Sequence, residues 1–392
     1  MISNNLYINQ PAWSGIHLDN LTFIHPLVPS INLYIQNMLV NFYFQEPCMV
    51  VESHSIKPVD IKWPVGHIIT NVRFTFESYK LFVRIATPWQ HKDIDILCSI
   101  FEYLITSEVS VQQWISRNDC ENSPFVIDEK TFYAPIQFSV SWFKKMDIIP
   151  PILNTLQKAG SEIGKLHYAL QKAPFSKYII DATSVRIAEL NKTKMLVNDV
   201  LIGGGTKVFK NRHGWIMENA SLMKRFVAHY VPNLTIFPDC QPQIVHGDMN
   251  AGNILCDNDG KIVILDFEDT LHSFFLPLAD LALFIERCIL FDYPQEAVLI
   301  NRLNAFFDGY LHNADFPFSS LVSTVGAQIA EMLCQINYYS IGIHLTLCRQ
   351  GSDIFDDEEW NKFKILEQHA QYWRKVLPKL NILTYGFSKY SK

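Results

Sequence analysis

The sequence predicts an α+β protein in two parts: a small β-sheet domain with one helix, then a larger, mostly helical domain that holds one polar hairpin. Three observations carry this. Between residues 60 and 140 apolar residues alternate in short runs, the two-residue period of strands. After Pro150-Pro151 the period becomes helical, with Ile152, Leu156, Ala159, Ile163, Leu166 and Leu170 recurring at three- and four-residue steps. Within the helical part, Ile244 to Asp269 packs strand, turn and carboxylates into one island. The 392 residues suffice for two or three domains of about 100–200 residues each. An apolar share of 48% against 18% charged residues supports a large core and excludes a disordered chain.

The expected boundaries are an N-terminal extension over 1–59, a sheet domain over 60–140 and a helical domain over 141–392. The extension is rich in Asn, Pro and aromatic residues and holds one helix, from about Ser30 to Phe44. In the sheet domain, Val72, Phe74 and Phe76 and then Leu81, Val83 and Ile85 form a hairpin about the turn Glu77-Ser78-Tyr79-Lys80. A helix follows from Lys92 to about Thr106, with Ile96, Ile100, Tyr103 and Leu104 on one face. A second hairpin joins Pro124–Ile127 to Thr131–Val140 through Asp128-Glu129-Lys130. Gly203-Gly204-Gly205-Thr206-Lys207 lacks the phosphate-loop spacing G-x-x-x-x-G-K-[ST] and reads as a turn. The acidic run Asp353, Asp356, Asp357, Glu358 and Glu359 reads as a solvated helix start before Trp360. Tyr338, Tyr339, Tyr372 and Trp373 have the cation–π chemistry to box an ammonium group, but their helical spacing is that of core residues.

Charge and cysteine usage narrow the function classes. A net charge of −6 gives no overall basic surface for nucleic acid or anionic lipid. Eight scattered cysteines include no C-x-x-C pair, so neither a disulfide frame nor a zinc ribbon is legible. The first residues lack the basic head and apolar run of a signal peptide. The greasiest stretch, Leu276 to Phe291, is broken by Asp280, Glu286 and Arg287 and does not suit a membrane span. The expectation is a cytoplasmic protein without nucleic-acid or membrane partners.

The island carries the chemistry. It reads Ile244-Val245-His246-Gly247-Asp248-Met249-Asn250-Ala251-Gly252-Asn253-Ile254-Leu255-Cys256, then Asp257-Asn258-Asp259-Gly260, then Lys261-Ile262-Val263-Ile264-Leu265-Asp266-Phe267-Glu268-Asp269. Asp-Asn-Asp-Gly is strong turn chemistry between two apolar runs. Folding that hairpin brings Asn253 and Asp266 to one open end, with Asp248 five residues upstream. Hard oxygen ligands of this kind suit Mg²⁺, which takes few protein ligands and completes its shell with water and phosphate oxygens. Phosphoryl transfer asks for this layout: metal held against nucleotide phosphates, and a hydroxyl aimed in line. Asp248 would orient that hydroxyl and take its proton, while Asn253 and Asp266 would hold metal. Protein kinases use H-R-D-x-x-x-x-N followed by D-F-G for the same task. Here Gly247 replaces the Arg and Glu268 the final Gly.

H-G-D-x-x-x-x-N-I-L, a strand and D-F-E-D together resemble the aminoglycoside phosphotransferase and choline kinase superfamily of small-molecule kinases. Pro277-Leu278-Ala279-Asp280-Leu281-Ala282 resembles that family's D-P-x-x-D-L-A, and Gly160 to His167 its helix ending in L-H. Asn71 to Ala86 resembles the nucleotide-lobe hairpin, in which Arg84 would reach the α- and β-phosphates. The resemblance implies a bilobal, protein-kinase-like fold and an ATP (or GTP) co-substrate with Mg²⁺. It also places the adenine at the link between lobes, around Gln137, Phe138 and Ser139. No Glu stands where the family's helix carboxylate would pair with Arg84; Leu97 or Cys98 falls there, and Asp93 and Asp95 lie about a turn early.

Each residue has a plainer role to set beside the chemical one. His246 and Asp280 suit structural support of the loop, His246 by hydrogen bonding at a strand end and Asp280 at the helix it opens. Glu268 and Asp269 suit either a substrate-facing role or simple solvation. Between Asp239 and Glu296 eleven acids face two basic residues, which favours a cationic or amino-bearing acceptor by electrostatic focusing. Between Lys192 and Arg225 seven basic residues face two acids. The expected function is transfer of a γ-phosphate to a hydroxyl of a small molecule: an aminoglycoside-type or other amino-bearing sugar, or an amino alcohol. The protein would act as monomer or homodimer. Two alternatives stand beside it: a catalytically impaired kinase-like binding protein, and a metal-dependent phosphoesterase using His246, Asp248, Asp266, Asp269 and His272.

Overall fold

The computed structural model describes residues 49–55, 66–74, 77–86, 91–115, 137–144, 147–148, 150–204, 208–209, 212–237, 240–256, 260–314, 325–350, 357–380 and 382. They divide into two compact units, one taking 49–148 with 254–266 and the other 150–253 with 267–382. The helix expected near Ser30, the acids Asp353 and Asp356, and the turn of the second hairpin lie outside the described residues.

The sheet unit holds β1 (Met49–Ser55), β2 (Gly66–Phe74), β3 (Glu77–Ala86), α1 (His91–Thr106), β4 (Gln113–Ile115) and β5 (Gln137–Lys144). The strands lie in the order β1-β2-β3-β5-β4, each antiparallel to its neighbour. The expected hairpin is present with longer strands. Pairing runs to Phe74↔Glu77, so Glu77 to Lys80 belongs to β3 rather than to the turn. The alternation of Leu81, Val83 and Ile85 continues back to Tyr79, and the strand continues with it. β1 comes from the stretch assigned to the extension. Its polar half, Glu52-Ser53-His54-Ser55, and a register shift between Val50 and Glu52 hide the strand period. α1 buries Leu97, Ile100, Phe101 and Leu104, so its inner face is centred one residue beyond the expected one.

A second sheet, in the order β6-β8-β9, joins β6 (Asp147–Ile148) to β8 (Ile254–Cys256) and β9 (Ile262–Ile264). The Gln112 N–H donates to the Ile264 carbonyl at 3.1 Å, and the Ile264 N–H to the Ser110 carbonyl at 2.9 Å. Leu255, Val263 and Leu265 form a small apolar cluster. The strands of the island's hairpin therefore group with the sheet unit, although the sequence sets the whole island in the helical domain.

The helical unit is built from α2 (Leu153–Gln171), α3 (Ser176–Leu201), α4 (His213–Glu218), α5 (Ala220–His229), α6 (Pro277–Phe284), α7 (Glu296–Tyr310), α8 (Val325–Arg349) and α9 (Asp357–Val376). The stripe of α2 is buried as expected, except that Ile152 caps the helix and is 61% exposed. α2 and α7 meet backbone to backbone. A β-carbon on Gly160 would overlap the Phe306 carbonyl, and one on Gly309 the Gln157 carbonyl. α8 is buried along most of its length, and Trp360 and Trp373 of α9 are fully buried. Tyr338 and Trp373 are core residues, whereas Tyr372 is 46% exposed. Gly203, at φ +92°, lies just past the end of α3, so the glycine run begins in the turn that leaves this helix. α9 begins at Asp357, within the acidic run read as a helix start. Among the described residues no helix is long and apolar enough to cross a membrane.

Candidate functional site

In the helical unit, β7 (Gln243–Ile244) pairs with β10 (Phe274–Phe275), and the Val245 N–H extends the ladder to the Ser273 carbonyl at 3.0 Å. The chain then turns sharply at Gly247, whose φ of +88° favours glycine. A β-carbon there would collide with the Ser273 side chain, its Cβ only 2.9 Å away, and would lie 3.1 Å from the Asp269 carbonyl carbon. This is the physical reason for a glycine where protein kinases carry Arg.

Asp280, buried in α6, holds this turn. Its carboxylate accepts the His246 N–H at 2.7 Å and the Gly247 N–H at 2.9 Å. It also meets His167 Nε2 at 3.1 Å, and the other ring nitrogen of His167 meets the Tyr310 hydroxyl at 2.9 Å. Asp280 lies inside α6 and makes no N-cap, so its brace is to the loop and not to its own helix. The buried His246 accepts the Asp248 N–H on Nδ1 at 3.2 Å, and the Thr270 hydroxyl donates to its carbonyl at 2.9 Å. Its ring packs edge-on to Phe267 at 4.6 Å.

Burial alone would raise the Asp280 carboxyl, but the His167 hydrogen bond and charge, with His246 and the Gly247 N–H, hold it below its ordinary 3.8. A lowered carboxyl stabilises the fold above its ordinary value, and that stability is lost as pH falls through the lowered one. Asp280→Asn should cost about 3 kcal/mol at pH 7 and flatten the decline in stability below pH 3.8. Urea unfolding followed from neutral pH to about pH 3 reads both effects. An acid limb as steep in the variant as in the wild type would remove Asp280 from that role.

Asp248 is half-buried, and Asn253 follows it on a single 3₁₀ turn, Ala251–Asn253. Asn253 Nδ2 donates to the Asp248 carbonyl at 2.8 Å and to its Oδ2 at 3.1 Å, while Asn250 Nδ2 donates to Oδ2 at 2.9 Å. Both groups that Asn253 meets are acceptors, which fixes its NH₂ toward Asp248 and leaves Oδ1 as the atom that could hold a metal. Burial and then the charge of Asp269 raise the Asp248 carboxyl above the ordinary 3.8, against the Asn250 hydrogen bond and the charges of His246 and Arg287.

Asp266 belongs to the sheet unit. It adopts φ +59°, a left-handed conformation that Asp tolerates better than most residues, and its N–H donates to Gln112 Oε1 at 3.1 Å. The register Ile254↔Ile264 sets the start of β8 and the end of β9 at the same end of the hairpin. Arg84 pairs with Ser139 on the neighbouring strand, Ile85 with Phe138 and Ala86 with Gln137. These three candidate nucleotide residues therefore lie inside β5, whose strand runs on to Lys144, whereas the sequence sets them at a lobe link.

Sequence reading missed Arg186 and Gln112. Arg186, from α3, donates through Nη1 to Asp269 Oδ1 and to the Tyr339 hydroxyl, both at 2.8 Å. Burial would lower the Arg186 guanidinium, but Tyr339 and Asp269 raise it well beyond its ordinary value. Asp269 is thus ion-paired while still 44% exposed, and Glu268 is half-buried at the start of the 3₁₀ turn Asp269–His272. Neither Arg186 nor Gln112 sits in a local pattern; 83 residues separate Arg186 from Asp269, and 154 separate Gln112 from Asp266. Among the described residues no three His, Cys, Asp or Glu side chains gather to hold a metal.

The model of the phosphotransferase enzyme family matches residues 214–316, a stretch that contains the whole island and Asp280. No curated protein sequence matches the chain. Among solved structures it is similar to spectinomycin phosphotransferase in complex with ADP and spectinomycin, with a TM-score of 0.56 and 12% identity over 88% of this chain and 98% of that one. It is also similar to an amicoumacin kinase in complex with AMP-PNP and Ca²⁺, with a TM-score of 0.51 and 14% identity over 92% and 98% of the two chains. At such identities the likeness is one of fold, that of small-molecule kinases. The resemblance to the aminoglycoside phosphotransferase and choline kinase superfamily therefore holds at the level of family model and fold.

Proposed function

We propose that this protein is a kinase that transfers the γ-phosphate of ATP or GTP to a hydroxyl of a small molecule. The observation that carries the reading is the Asp248–Asn253 pair, in which one amide holds the carbonyl and the carboxylate of a loop braced by Asp280. Asp248 orients the acceptor hydroxyl and takes its proton as the new P–O bond forms and the bond to the leaving nucleoside diphosphate breaks. Burial and the neighbouring Asp269 make its carboxylate a stronger base.

Asn253 Oδ1 and the Asp266 carboxylate are assigned to Mg²⁺, which takes a few hard oxygen ligands. Bound there, the ion would neutralise phosphate charge during transfer. Arg84, with Gln137, Phe138 and Ser139 opposite it and its strand neighbours, is assigned to the nucleotide. The two parts are read as the nucleotide lobe and the substrate lobe of a bilobal kinase-like enzyme. Acids crowding residues 239–296 favour an amino-bearing acceptor, whether an aminoglycoside-type sugar, another amino sugar or an amino alcohol.

Calorimetric titration with ATP and with GTP, each with and without Mg²⁺, tests the nucleotide half. Wild type should bind one of them in an Mg²⁺-dependent way, and Asp266→Asn should weaken it at least about tenfold. A screen for ADP or GDP release against amino sugars, aminoglycosides and amino alcohols then finds the acceptor. Failure to bind either nucleotide would overturn the kinase reading. Binding without release against any acceptor would overturn the amino-bearing class alone.

A further inference from the structure

The outer face of α3 carries a seam that the catalytic reading does not use. α3 buries Ile179, Thr183, Leu190, Thr193, Val197 and Val200 on its inner side. On the other side Val185, Ala188, Lys192, Met195, Asp199 and Ile202 follow one another at alternating steps of three and four residues, the spacing of a helix–helix contact line. Val185 is 67% exposed, Met195 70% and Ile202 77%. Neither Lys192 nor Asp199 makes an ion pair with a described residue.

We propose that this seam docks a second copy of the same chain, antiparallel, about a two-fold axis at Met195. The order of the residues selects that occupant. Ala188 lies seven residues before Met195 and Ile202 seven after it, so a two-fold axis there sets each Ile202 over the small Ala188 of the copy and the two Met195 side chains together. Lys192 lies three residues before the axis and Asp199 four after it. In the same arrangement each Lys192 comes within about 1.5 Å of the level of the copy's Asp199, giving two reciprocal ion pairs. A parallel pairing would instead oppose Lys192 to Lys192 and Asp199 to Asp199. One helix seam buries less than the roughly 800 Å² per partner of a standard interface, so the dimer is a micromolar one.

Sedimentation velocity on the full chain from about 1 to 100 µM tests the inference. Wild type should shift from monomer to dimer across that range, and Met195→Glu should remain monomeric throughout. Lys192→Asp should weaken association at least about tenfold, and the double exchange Lys192→Asp with Asp199→Lys should restore it. These are exposed positions, so circular dichroism should report unchanged folding. A wild type monomeric at every concentration would overturn the inference and leave the seam to another partner. A dimer indifferent to Met195→Glu, or not restored by the double exchange, would also overturn it, because the contact would then lie on another face.

Discussion

Turnover of Asp248→Asn should fall about 10²–10⁴-fold with nucleotide affinity unchanged. The asparagine keeps an oxygen that can accept from the amides of Asn250 and Asn253, so the loop retains its internal bonds. The Asp280 brace engages the backbone of His246 and Gly247 and does not involve the Asp248 side chain. On the proposed mechanism the variant thus loses the proton acceptor and little else. Rates of ADP or GDP release with the acceptor found by screening, set beside calorimetric nucleotide binding, separate the two roles. Turnover within about threefold of wild type would remove Asp248 as the base. Loss of nucleotide binding with turnover would instead make Asp248 a residue that holds the loop together.

Gly309→Ala should destabilise the helical unit by about 3 kcal/mol or more, the largest stability change expected from a single added methyl group here. The contact lies between two helix backbones. Gly309 of α7 faces the Gln157 carbonyl and Gly160 of α2 faces the Phe306 carbonyl, so neither side has a flexible chain end that can yield. The helices would have to move apart, loosening Ile163, Leu166, Phe306 and Tyr310, all of them buried. Tyr310 reaches His167, and His167 reaches Asp280, so the loss would also loosen the brace of the Asp248 loop. Chemical denaturation of wild type and variant, read by far-ultraviolet circular dichroism, measures it. A change below about 1 kcal/mol would mean that the two helices separate at little cost.

The Asp248 loop was legible because its chemistry is local. His246, Asp248, Asn253 and Asp266 fall in one stretch of 21 residues whose spacing follows from a hairpin. The buried stripe of α2 was legible for the same reason, a periodicity within one element. What escaped was long-range. Arg186 is a single cation within a helix, and only the packing of α3 on the turn after Asp266 joins it to Asp269 and Tyr339. Gln112 stands in a short connection between α1 and β4, and its tie to Asp266 depends on a ladder that no local pattern announces. β1 was hidden by its polar half, and β8 and β9, three residues each, are too short for a period to declare which sheet they join.

The path of the chain has a consequence for synthesis. β6 ends at Ile148, and its partner β8 begins at Ile254. A ribosome adding about 5–20 residues per second would leave the Asp147–Ile148 edge unpaired for roughly 5–20 s, and the Val111 edge that bridges to Ile264 for roughly 8–30 s. Throughout that interval the emerging sheet offers open strand edges to any neighbouring nascent chain, the kind of exposure from which strand-swapped aggregates begin. Slowed translation between residues 149 and 253 should therefore lower soluble yield, whereas the same delay after residue 266 should leave it unchanged.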